Sequence, residues 1–173
     1  MNRSLFYAAF GREHWECITV WSAIVADETF DHMDVAKEAY EALRREDYSA
    51  GLEKLLQVIA YYEGVDATQY MEYLTYLYDL HFVYVNLNEP QRAIDTLRKL
   101  TIYLQNNADP KDLKPDALQI YVQSWVRLAL LYKEVQDRQA ATNTFNQCIP
   151  VFVQLFGADS PEVATANEYL ASV

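Results

Sequence analysis

The side chains best typed for binding a metal are His14 and Cys17, with Glu13 beside them. A structural zinc site needs four such donors, usually arranged as two pairs, and no second pair with that spacing occurs in the chain. Asp31, His32, Met33 and Asp34 form the next polar cluster. Their pattern is that of a helix entrance, with Asp31 or Asp34 accepting from first-turn amides. His81 falls on an apolar helix face, where a packed, hydrogen-bonded histidine is expected rather than a ligand. Three histidines on separate segments do not make a nucleophile–base pair by themselves. The chain holds no Gly-rich phosphate loop, no Gly-x-Ser-x-Gly elbow and no His-Glu-x-x-His. The sequence therefore predicts no catalytic residue, no metal site and no cofactor, and the expectation is a protein that is not an enzyme.

Tyrosine is the more informative residue type. There are 14 in 173 residues, with Tyr61, Tyr62, Tyr70, Tyr73, Tyr76 and Tyr78 dense within one stretch. Tyrosine joins a large apolar ring to a polar tip, which suits binding surfaces as well as cores. The cluster is expected to divide about evenly between the two.

The elements that must position these rings are helices. Apolar residues recur at spacings of three and four in Leu52, Leu55, Leu56, Ile59 and in Ile94, Leu97, Leu100, Leu104. Breakers fall between such runs: Gly64, Asn88 to Pro90, Asn106 to Pro115, and Gly157 to Pro161. Ser160-Pro161-Glu162 reads as an N-cap, a first-turn proline and a first-turn acid. No strand pattern competes, and the few glycines argue against a turn-rich β architecture.

The helical segments repeat. Gly51, Ala93 and Ala141 each lie four places after a short turn, and each is followed four residues later by a large apolar residue, Leu55, Leu97 or Phe145. Two helices joined by a tight turn approach closely only where a contact residue is small, and a large neighbour then fills the remaining space. The fullest copy runs Trp125, Leu128, Ala129, Tyr132, Ala141, Phe145, Cys148. The one before it runs Leu77, Leu80, His81, Tyr84, Ala93, Leu97, Leu100, with His81 where the others have a small residue. An earlier copy runs Val35, Glu38, Ala39, Ala42, Gly51, Leu55, Val58, and a fourth fits upstream on Gly11, Cys17, Trp21 and Ile24. Cys17 and Cys148 both take packing positions in this register, so both are expected in the core.

This series resembles the tetratricopeptide repeat, whose signature is W-x2-L-G-x2-Y, then A-x3-F, then P. The stretch from Leu155 to Thr165 is similar to the linker of kinesin light chain-type repeats. The resemblance implies an all-α, right-handed superhelical array of antiparallel helix pairs in one domain, with repeats near 1–30, 31–65, 70–107 and 116–157 and a capping helix at 161–173. It also implies that the first helix of each pair lines a concave groove. By position, that places Met33, Tyr40 and Leu43 on the groove in one copy, Tyr78, Phe82 and Val85 in the next, and Gln123 and Lys133 in the last. The Lys and Asn with which some family members grip a C-terminal carboxylate are replaced by apolar residues. The groove is expected to take an amphipathic helix or an extended apolar segment of a protein.

Charge narrows the partners further. The 14 Lys and Arg against 25 Asp and Glu give a net charge of −11. Basic residues never run longer than two together, which excludes the clustered cations that nucleic acid requires. No apolar stretch approaches the roughly 20 residues of a membrane span. The start is too short and aromatic for a secretory signal, and the two cysteines imply no disulfide framework, so a cytoplasmic protein is expected. The acid surplus is concentrated in the first 75 residues, so a basic partner there is favoured. The expected role is a protein-binding adaptor. The alternatives are a small acidic inhibitor of one cognate partner, such as an immunity protein, a secretion chaperone, or a fragment of a larger repeat scaffold.

Overall fold

The computed structural model describes residues 31–65, 71–107 and 109–173. Among these residues it contains seven helices and no strand. The upstream repeat copy on Gly11, Cys17, Trp21 and Ile24, the His14–Cys17 pair, and Tyr70 lie outside the described residues.

Side-chain caps set the helix starts. Asp31 accepts from the amides of Met33 (2.9 Å) and Asp34 (3.3 Å) and so opens α1 (His32–Arg44). Asp47 accepts from the Ala50 amide at 3.1 Å and opens α2 (Tyr48–Gly64). α3 (Met71–Asn86) and α4 (Pro90–Asn107) follow. α5 (Pro115–Glu134) starts with its proline in the first turn, where the missing N–H costs nothing. Asp137 accepts from the Ala140 amide at 3.0 Å and opens α6 (Arg138–Phe156). Ser160 does the same for Val163 at 3.3 Å, opening α7 (Pro161–Ala171). Gly157 ends α6 at a φ of 90°, a conformation open to glycine at no steric cost.

Three of the turns are built alike. In each, the residue before the cap is left-handed and is not glycine: Glu46 (φ 61°), Asn88 (φ 60°) and Gln136 (φ 65°). The next amide reaches back five residues, from Asp47 to Ala42 O, Glu89 to Tyr84 O, and Asp137 to Tyr132 O. The left-handed residue's own amide bonds three residues back, to Leu43, Val85 and Lys133. This is the Schellman pattern, which satisfies the orphan carbonyls of the first helix while reversing the chain into the second. The repeat seen in the sequence is thus a repeat of backbone geometry.

The described residues fall into two units, divided within α3 between Tyr76 and Leu77. In the first, α1 packs on α2. Ala39, Leu55 and Val58 are fully covered and Ala36 and Ala42 nearly so, while Lys54 bridges back to Glu38 at 2.7 Å. In the second, α4 packs on α5, α5 on α6 and α6 on α7. The small residues Ala93, Ala129 and Ala141 and the large Leu97 and Phe145 have no exposed surface. Consecutive helices therefore bury the small–large series that defines the register, as in a helical solenoid.

α7 covers the outer face of α6. Tyr169 stacks on Phe145 with centroids 6.2 Å apart, Val163 and Ala166 are buried, and Lys133 Nζ donates to Ser172 Oγ at 2.8 Å.

Candidate binding surface

α3 presents Tyr78, Phe82 and Val85 at spacings of four and three, which places them along one helix face. Phe82 is half exposed, and Tyr78 and Val85 are each partly covered. An aromatic ring left this open is one of seven large apolar side chains exposed among the described residues.

The face continues toward the turns. Val85, Asn88 and Pro90 line a cleft of about 240 Å³ with Leu131, Glu134 and Val135 from the end of α5. The walls are aliphatic apart from Glu134 and Asn88. Glu134 has Arg127 at 3.8 Å, a long and partly solvated pair worth little in stability. Burial raises the Tyr78 phenol above its usual range; Arg127 works against this and Asp79 with it. Tyr78 is accordingly a neutral donor and acceptor at physiological pH.

The other residues assigned to a groove from the sequence differ in exposure. Gln123 is exposed and Lys133 is partly covered, with its ammonium held by Ser172. In the first unit Met33 is 60% exposed, whereas Tyr40 is partly covered and lies 6.3 Å from the Tyr76 ring. Leu43 folds over Gly51, so much of its side chain serves packing within the helix pair.

The tyrosine cluster is more interior than expected. Tyr62, Tyr73, Tyr76 and Tyr84 are buried, and Tyr61 and Tyr78 are partly covered. Tyr62 is the hub of the first unit, within 6.4 Å of Tyr73, 5.8 Å of Tyr76 and 5.8 Å of Tyr61, while His32 stacks on Tyr61 at 4.4 Å. The Tyr73 hydroxyl donates to Glu63 at 2.8 Å, so its polar tip is satisfied without reaching solvent.

A second cleft, of about 260 Å³, opens between α4 and α6 over Trp125, Leu128 and Tyr132. Trp125 is buried and its indole nitrogen lacks a hydrogen bond of normal geometry, with Tyr121 the ring beside it.

Among the described residues, Cys148 and His81 are both enclosed. Cys148 is fully buried, its thiol lies against the Phe145 carbonyl at 3.5 Å, and burial pushes its pKa up to about 12. His81 is buried, its Nδ1 pairs with the Tyr78 carbonyl, and desolvation pulls its pKa down to about 4. Among the described residues no three His, Cys, Asp or Glu side chains gather in a way that could hold a metal ion, and no helix is long and apolar enough to cross a membrane.

No protein-family model matches the chain, and comparison with curated proteins gave no match.

Proposed function

We propose that this chain is a tetratricopeptide-type interaction module, a non-enzymatic cytoplasmic adaptor that binds a segment of another protein along the first helices of its pairs. The observation that carries this reading is the exposed Phe82 ring between Tyr78 and Val85 on one face of α3. A large aromatic ring surrounded by partly covered neighbours is the usual anatomy of an interface anchor. The partner is an apolar or amphipathic segment, and basic where it meets the acid surplus of the N-terminal part. Nucleic acid and membrane are not part of this reading.

Affinity purification from the native source supplies the partner. Its binding is then measured to Phe82→Ala and Tyr78→Ala proteins whose helicity is intact. Losses on the order of 2 kcal/mol or more per anchor support the proposal. Parental binding by both, combined with loss on reversing Glu41 and Glu46, would instead favour the acidic inhibitor of one basic partner.

A further inference from the structure

His81 stands in a slot that its sister repeats fill with alanine. Ala39 and Ala129 occupy the corresponding first-helix positions and are completely covered. His81 is 3% exposed, so a full imidazole is packed where a methyl group serves elsewhere. Its Nδ1 pairs with the Tyr78 carbonyl one turn earlier on α3, and its ring lies 4.6 Å from the Tyr78 ring. A carbonyl only accepts, so the proton of the neutral ring sits on Nδ1 and Nε2 carries none.

The charged surroundings do not favour a second proton. From α5, Arg127 acts on the ring with its positive charge, only partly offset by Glu134 at 3.8 Å from the guanidinium. From α4, the Arg92 guanidinium lies 4.4 Å from the Tyr84 ring while paired to Glu89 at 2.8 Å. On α3 itself, Asp79 acts on Tyr78. A proton on Nε2 therefore puts a positive charge on an enclosed ring already within the field of Arg127, which costs free energy unless the packing opens.

We propose that His81 makes the packing around the Leu77–Asn86 segment of α3, where Leu80, Val83 and Tyr84 are buried and the Arg92 guanidinium of α4 lies over the Tyr84 ring, an acid-sensitive joint, closed while the ring is neutral and opened by its protonation. The inference is separate from the binding proposal, because it concerns a joint within the protein and is tested without a partner.

The size of the effect follows from linkage. The closed joint holds the ring at about 4, and an open, solvated ring returns to its ordinary value of about 6.5. The closed state is thus fully favoured above the open-state value and loses that advantage as pH falls from there toward 4. Between pH 7 and pH 5 the opening equilibrium rises about twentyfold. Ordinary carboxylates titrate mostly below that window.

The test is amide hydrogen exchange on the full chain at pH 7, 6 and 5, corrected for intrinsic exchange. The expected result is about a twentyfold rise in opening for Leu80 to Val85 in the parent, and no such rise in His81→Ala, which carries the side chain of the sister slots. His81→Asn keeps a neutral donor for the Tyr78 carbonyl and replaces the alanine variant if that one does not fold. A flat response in the parent overturns the inference. So does an equal rise across α6 and α7, which would mean global unfolding, or a ring that titrates near its ordinary value by NMR while the joint stays closed.

Discussion

Leu43 lies directly over the bare Cα of Gly51: a Cβ placed on Gly51 would stand 2.4 Å from Leu43 Cδ2 and 2.9 Å from its Cγ. This contact closes the α1–α2 pair. Gly51→Ala gains about 1 kcal/mol of helix propensity but meets an overpacking cost of about 1–3 kcal/mol. The substitution is expected to destabilise in the parent and to stabilise in a Leu43→Ala background. Denaturant midpoints of the four proteins in that cycle measure the coupling, and purely additive effects would contradict the contact.

The three left-handed turn residues should respond to glycine in a graded way. A left-handed L-residue costs on the order of 1–2 kcal/mol, and asparagine bears the conformation better than glutamate or glutamine. Glu46→Gly and Gln136→Gly are each expected to raise stability by about 0.5–1 kcal/mol, with Asn88→Gly gaining less. Thermal melts rank the three, and a loss at Glu46 or Gln136 would show that those side chains contribute more than their backbone strain costs.

Trp125 is 4% exposed beside Leu128 and Ala129, both of which are also buried. Trp125→Ala should cost roughly 3–5 kcal/mol, the range for deleting a large aromatic from a core. Urea unfolding measures the loss. A variant as stable as the parent would mean that the cleft over this ring collapses to refill the space.

Cys148 combines complete burial with a thiol pushed up to about 12. The reactive species is the thiolate, so its labelling by a water-soluble thiol reagent should be slow and should accelerate on adding denaturant. Peptide mapping after timed labelling separates it from Cys17. Native labelling at the rate of a free thiol would place Cys148 outside the core.

How much of this was legible in advance depended on the range of the interaction involved. Helix starts are decided by a few neighbouring atoms, so the Asp31–Asp34 entrance and the Ser160-Pro161 pair are readable from type and spacing, and the structure selects Asp31 over Asp34 as the cap. The pair register was readable because only small residues allow close approach, and Gly51, Ala93 and Ala141 recur at that one place. The left-handed turns gave little compositional sign, since Glu46 and Gln136 are not turn-typical residues. Their conformation is imposed by the second helix folding back on the first. The tyrosines were ambiguous for the same reason. Tyrosine pattern alone does not say whether a ring's free side meets water or another helix, and it was tertiary packing that buried Tyr62, Tyr73 and Tyr76. Sequence by itself therefore determined the helices, the capped starts near Asp31 and at Ser160 and the pair register, which rest on local hydrogen bonds and periodicity, while the caps at Asp47 and Asp137 emerge only in the structure. Only the tertiary structure decided that Leu43 covers Gly51, that His81 is enclosed near Arg127, and that Phe82 remains open, because each of these is set by what a neighbouring helix brings.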